Sequence, residues 1–235
     1  MTDRLSIIIP ALNEASVLDR TLSSCQIAAP GAELLVVDGG STDATLAIAS
    51  RLAGVRVLRV ACACRAVQCN AGARAATGSL FLFLHADTTI TSEGVRELYG
   101  ALQQQSVAGG CFSFALADAG GRYRLTEWGA NFRSRWLRLP FGDQGIFCRS
   151  DTFTHVGGFP EIPLMDDVAF IDRLRRCGRV VLLRAPVRTS GRRIMQHGII
   201  RSAMRNYAIV MAYRCGISPV RLARWYRQEG SHGTA

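Results

Sequence analysis

At 235 residues, with 49% hydrophobic and 20% charged residues, the chain has the composition of a globular protein of one large or two small domains, which excludes a disordered polymer. Its net charge is +10 and it contains no lysine, so all 28 basic residues are arginine. This suits anionic partners such as sugar nucleotides or anionic lipid, whereas nucleic acid has only the charge in its favour, without a stacking platform of aromatics. Eight cysteines without CxxC spacing argue against a zinc site, and no run reaches the roughly 20 apolar residues of a membrane-spanning helix. The opening MTDRLSIIIPAL is too short for a secretory signal, so the expected setting is cytoplasmic and reducing.

The first half alternates apolar runs with helical stretches. Strands are expected at Leu5–Ile9, Glu33–Val37, Val55–Val60 and Leu80–Leu84, and helices at Glu14–Cys25, Asp43–Leu52 and Ala66–Ala76. Strands separated by helices of this length predict an α/β fold, with βαβ units, right-handed crossovers and a parallel sheet. The second half is less regular. It reads as a helix over Ser92–Gln104, a strand over Gly110–Ala117, an aromatic and arginine-rich helix over Arg122–Arg138, a short strand over Gly145–Cys148, a helix over Asp166–Cys177 and a strand over Val180–Leu183.

From Gln196 to Gln228 the pattern changes. Ile200, Ala203, Met204, Tyr207 and Met211 fall on one helical stripe, with Arg201, Arg205, Arg214, Arg221, Arg224 and Arg227 nearby. Such a tail packs on its own domain or on a second subunit, or lies on a membrane surface as a basic amphipathic helix.

Polar residues follow where the apolar runs stop. LFLFLHADT ends a strand buried on both faces in one carboxylate, Asp87, which either caps the next helix or holds a divalent cation on a diphosphate. SIIIPALNEA ends its strand at Pro10 and brings Glu14 to a helix start, as a first-turn acid or an acceptor for a ribose or base. VVDGGSTD ends the next strand at Asp38, the better binding candidate, while Asp43 reads as structural. In CRAVQCNAGA, Arg65, Gln68 and Asn70 open a helix whose N-terminus together with Arg65 could neutralise a diphosphate. In LMDDVAF, Asp166 and Asp167 enter another helix, either as complements to its dipole or with one of them acting as a general base. Adjacent residues diverge on a helix, so at most one is expected to face a substrate.

Taken in order, SIIIPALNE, VVDGGSTD, RAVQCNAGA, FLHAD, GDQGIFCR and MDDVAF resemble a family 2 inverting glycosyltransferase with the GT-A fold, a Rossmann-like, mostly parallel sheet flanked by helices. Within that family the chain is most similar to small bacterial transferases associated with radical-SAM genes and arsenosugar biosynthesis. The resemblance implies one GT-A domain over residues 1–195, with a nucleotide-binding half (1–88) and an acceptor half (89–195), followed by an amphipathic helical tail (196–235). It implies a nucleoside diphosphate sugar donor, usually UDP-linked, a Mg2+ or Mn2+ ion, and a small-molecule or lipid acceptor.

By motif position Asp87 resembles the metal-binding acid and Asp167, beside Asp166, the catalytic base. Pro10, Glu14, Asp38, Arg65 and Asn70 match the nucleotide side, and Asp143 and Gln144 the sugar and acceptor side. Arg192, Arg193 and His197 follow the last core strand and could close over the diphosphate as a lid, with His197 a further candidate ligand. The chain departs from the family at His85-Ala86-Asp87, where one acid of the usual DxD is missing, and at Gly39, where relatives often carry a second Asp. A QxxRW motif is absent, which favours transfer of a single sugar over polymer synthesis. Two other classes stay open. A nucleotidyltransferase would want a glycine-rich basic loop near the first strand, which is not seen; a non-catalytic sugar-nucleotide binder fits the incomplete DxD.

Overall fold

The computed structural model describes residues 3–117, 142–190 and 199–231. In chain order the elements are β1 (Leu5–Ala11), α1 (Leu18–Ala28), β2 (Glu33–Asp38), α2 (Thr45–Arg51), β3 (Val55–Arg59), α3 (Arg65–Ala75), β4 (Leu80–Phe83), β5 (Thr88–Thr89), α4 (Ser92–Leu102) and β6 (Val107–Leu116). A short turn, Gly142–Gln144, precedes β7 (Ile146–Arg149), α5 (Ser150–His155), α6 (Asp166–Cys177), β8 (Arg179–Thr189), α7 (Ile199–Arg214) and α8 (Pro219–Ser231). The expected helix over Arg122–Arg138 and the residues Arg192, Arg193 and His197 lie outside the described residues.

All eight strands form one sheet in the order β3-β2-β1-β4-β7-β6-β8-β5. The first half is parallel, as the alternating pattern predicts, with β1 between β2 and β4. Beyond β4 the sheet is mixed: β7 runs antiparallel to both β4 and β6, β8 is parallel to β6, and β5 is antiparallel to β8. The alternation within β1 explains the two faces. Leu5, Ile7 and Ile9 pack with α1 and α4 through Leu18, Leu22, Val95 and Leu98, while Ile8 packs with α3 and α6 through Ala66, Cys69, Phe170 and Ile171. Burial raises the thiols of Cys25, Cys69 and Cys111 to about 12, so they serve as small apolar core groups.

The sheet has to curl. Phe83 and Thr88 are five residues apart, a reach of at most about 18 Å fully extended. Their strands are four positions apart in the sheet order, roughly 19 Å across if flat. The linking residues are not extended, because Thr88 N donates to His85 O at 3.1 Å. The strand ends therefore close around the loop that carries Asp87.

Three elements differ from the sequence expectation. α1 starts at Leu18, not Glu14, because Asn13, Glu14 and Ala15 give their backbone N–H groups to Ser41, Thr45 and Asp43 on the loop after β2. β8 runs on past Leu183 to Thr189: the ladder to β6 advances two residues on β6 against four on β8, a bulge at Pro186 that Ser113 Oγ closes by donating to Leu183 O at 2.6 Å. The tail is two helices, broken at Gly216 with its left-handed φ of +87°, and its predicted stripe faces outward: Met204, Tyr207 and Met211 are exposed, whereas Ile209 and Val210 are buried.

α3 lies close to the sheet at Gly72, where an added Cβ would come within 2.4 Å of Ile8 Cγ2 and 3.0 Å of Val37 Cγ2. Gly72→Ala should destabilise the fold by roughly 1–3 kcal/mol through this overpacking, read as a lowered urea midpoint with an unchanged m-value.

Candidate active site

The carboxyl ends of β1, β2 and β4 lie at one sheet edge, where open α/β sheets collect their ligands. Pro10, which has no N–H, stands beyond the end of the β1–β4 ladder at Ile8, so its missing donor is not needed there. Asp38 closes β2, is almost fully buried, and accepts from Gly40 N and Ser41 N at 3.1 Å each. Asn13, in a left-handed conformation at φ 55°, accepts Thr42 N at 2.8 Å. These contacts and those of Ala15 with Asp43 weld the first two loops into one rigid floor, giving Asp43 the structural role expected of it.

Gln68, on the first turn of α3, donates to Ala11 O at 2.8 Å and to Val37 O at 2.7 Å. A Cβ on Gly39 would stand 3.1 Å from its amide. Gln68 thus occupies the space into which a side chain at position 39 would grow.

The loop after β4 is pinned on all sides. Leu84 N donates to Ile8 O, Thr21 Oγ1 of α1 donates to Ala86 O at 2.8 Å, and Ser190 N donates to Asp87 O at 3.0 Å. Thr88 Oγ1 meets Thr189 Oγ1 at 3.0 Å, and Thr189 Oγ1 donates to Asp143 O at 3.2 Å. Residues 87, 143 and 190, from three separate stretches, thereby converge at the mouth of the curl.

Arg65 closes the arrangement. From the start of α3 its Nη2 lies 2.9 Å from Asp166 Oδ2 and 3.5 Å from Asp167 Oδ2, and its Nη1 lies 3.0 Å from His85 Nε2. Both adjacent acids reach this one guanidinium, since they sit in the first turn of α6, directly after Met165, whose left-handed φ of 67° turns the chain into the helix. Among the described residues only Asn13 and Met165 are non-glycine residues with positive φ, and both flank this site, as strained backbone at functional sites tends to. Burial opposes the charge on Arg65, but Asp166 and Asp167 outweigh it and hold the guanidinium more firmly protonated than usual. Burial lifts the Asp166 carboxyl above its ordinary value, with Arg65 opposing and Asp167 reinforcing the shift. The link from Arg65 to His85 and to both acids was not foreseen from sequence, because no spacing rule connects residues 65, 85 and 166.

Two expected ligand residues turn inward instead. Asn70 is buried and its amide pairs with the Phe159 backbone, donating to Phe159 O and accepting from Phe159 N, both at 2.9 Å, and donates also to Glu161 Oε1 at 3.4 Å. It braces α3 to the loop before α6 and does not face a nucleotide. Gln144 is fully buried and donates to Phe112 O at 3.2 Å, so it braces β6 and leaves Asp143 as the part of GDQG at the mouth. Glu14 is also buried, directly behind the floor.

For a divalent cation the donors are sparse. Among the described residues no three His, Cys, Asp or Glu side chains gather as a metal cage. One carboxylate, Asp87, fits Mg2+ or Mn2+ in the manner of nucleotide sites, in which phosphate oxygens and water complete the shell.

The sequence profile of a family described as "Glycosyl transferase family 2" matches residues 6–159. No curated protein matches the chain. Among solved structures, S. aureus TarS is similar with a TM-score of 0.65 at 19% identity, over 80% of this chain and 36% of that one. TarS 1-349 in complex with UDP-GlcNAc matches with a TM-score of 0.65 at 18% identity, over 80% of this chain and 58% of that one. A mannosyltransferase, PcManGT from Pyrobaculum calidifontis in complex with GDP-Man and Mn2+, matches with a TM-score of 0.67 at 18% identity, over 95% of this chain and 68% of that one. The chain spans about one third to two thirds of the TarS chains it matches, and at this identity the likeness is one of fold.

Arg65→Met should cost about 2–4 kcal/mol at pH near 7, because it leaves the Asp166 carboxylate buried without its partner. The folded state holds the Asp166 proton more tightly than the unfolded state does, so its contribution to stability falls as pH rises between the two pKa values. The deficit of the variant should therefore shrink as the pH is lowered and the carboxyl takes up its proton, as read from urea unfolding at neutral and at acid pH.

Proposed function

The chain belongs to glycosyl transferase family 2, and from that premise we propose that it moves one sugar from a nucleoside diphosphate sugar, UDP-linked by preference, to an acceptor hydroxyl with inversion at the anomeric carbon. The observation that supports this most strongly is the Arg65 bridge, which puts the Asp166-Asp167 pair within one guanidinium of the loop bearing Asp87. On this reading the donor-side and acceptor-side acids work on either side of Arg65.

The nucleoside lies on the floor made by the loops after β1 and β2, with Glu14 and Asp38 beneath it and Pro10 at its edge. The diphosphate lies over the N-terminus of α3, whose first-turn N–H groups and Arg65 favour negative charge. Asp87 would hold a Mg2+ or Mn2+ ion together with diphosphate oxygens, and the chemistry such an ion supplies is neutralisation of charge on the departing nucleoside diphosphate. Asp167 takes the proton of the acceptor hydroxyl as its oxygen attacks the anomeric carbon opposite the leaving group. The C–O bond to the acceptor forms as the bond to the diphosphate breaks, and the configuration inverts. Asp166, at the shorter distance, orients Arg65 and so acts as a positioning residue. Asp143 stands on the sugar and acceptor side, and Arg192, Arg193 and His197 supply the closing lid.

Asp167→Asn should keep binding UDP with Mn2+ in calorimetry while losing roughly 10²–10⁴-fold in release of nucleoside diphosphate from a panel of UDP-sugars and GDP-mannose. Asp87→Ala should instead weaken binding in the presence of Mn2+. Turnover by Asp167→Asn equal to that of the parent would remove the base assignment.

A further inference from the structure

We propose that the outer face of α7 and α8 is a docking surface for a lipid bilayer carrying anionic headgroups. The surface is separate from the sheet edge where transfer is placed, and it stands whether or not that reaction is the right one.

The apolar side of α7 faces away from the protein. Met204, Tyr207 and Met211 recur at helical spacing and are exposed at 68%, 40% and 57%, while the opposite side, Ile209 and Val210, is buried. Beyond α7, Ile217 and Val220, and on the other flank of α8 Trp225, are also exposed, while the inward side of α8 is Leu222 and Ala223. Two adjoining helices that each bury one apolar side and still show methionine, tyrosine, valine and tryptophan to solvent, with arginines between them, carry the mixed apolar and basic surface of an interaction site. No helix among the described residues is long and apolar enough to cross a membrane, so the geometry is that of a helix pair lying along an interface.

The charge selects the occupant. From Ile199 to Gln228, the stretch that carries α7 and α8, the sequence has six arginines and no acidic residue. Arg221 and Arg224 are exposed on α8 beside Val220 and Trp225. A second copy of the same face would set arginine against arginine. An anionic bilayer satisfies both parts: headgroups take the guanidinium groups, and the acyl boundary takes the Met and Trp side chains.

The pair is also held firmly enough to act as one surface. Arg214 at the end of α7 forks onto Asp172 of α6, with contacts at 2.6 and 3.0 Å. Arg205 of α7 stacks on the Tyr226 ring of α8, 4.3 Å from its centroid, and donates to its hydroxyl at 3.2 Å. The tail is thereby fastened to the helix that begins with Asp166 and Asp167.

The test uses the whole purified chain with vesicles of phosphatidylcholine alone and of phosphatidylcholine mixed with phosphatidylglycerol. Co-sedimentation should be roughly tenfold or more tighter on the anionic vesicles and should weaken with salt, and tryptophan emission should shift to the blue on binding. The double variant Met204→Glu, Met211→Glu should lose binding to both vesicles, and Arg221→Glu, Arg224→Glu should lose the preference for anionic lipid. Both pairs are exposed, so circular dichroism melting should match the parent. Three results would each overturn the proposal: no sedimentation of the folded parent with anionic vesicles, binding unaffected by either double variant, or a dimer in sedimentation equilibrium that Met204→Glu, Met211→Glu splits into monomers.

Discussion

One guanidinium holds the two halves of this molecule in register. Arg65 leaves the first turn of α3, in the parallel half of the sheet, and meets Asp166 and Asp167 on α6, which packs on the mixed half, while its other nitrogen meets His85 on the loop between β4 and β5. A buried pair of this kind repays its desolvation only when the geometry is good and the remaining lone pairs are satisfied. Here two carboxylates share one cation and the imidazole takes a further donor. The consequence is positional: the loop after β4, the start of α3 and the start of α6 are kept within reach of each other.

That register depends in turn on how closely α3 can approach the sheet. Gly72 sets the distance, since any side chain there would strike Ile8 and Val37. With α3 at this depth, Gln68 reaches the carbonyls of Ala11 and Val37 and fills the space beside Gly39. The departure from the family pattern at position 39 and the glutamine at 68 are therefore one adjustment. The floor formed by the loops after β1 and β2 is thus held in part by a neutral amide.

The missing first acid of the DxD has a similar structural companion. His85 stands in its position, with Nε2 3.0 Å from Arg65 Nη1. Under the proposed function, Arg65 held at that point would favour the diphosphate and the single carboxylate of Asp87 would share a cation with it.

Much of this was open to reading in the primary structure. The period of the apolar runs, the helices between them and the ordered motifs predicted an α/β, mostly parallel sheet, and the sheet is parallel through β4, with Asp38 closing β2 and Asp87 in the loop after β4, because burial on both faces leaves an unmistakable run such as LFLF and the turn chemistry follows at once. The same local logic placed Asp166 and Asp167 at the first turn of α6. What depends on contacts between distant residues was not legible. Asn70 and Gln144 occupy motif positions, yet their amides face Phe159 and Phe112, partners 89 and 32 residues away. The continuation of β8 past Pro186 needed the bulge against β6, and the outward turn of the Met204–Met211 stripe needed to know which side of α7 the domain would cover. Sequence determines which residues prefer strand, helix or burial, since those preferences are set within a few residues; only the tertiary structure decides what each buried polar group is paired with, because that partner is chosen by how the sheet curls.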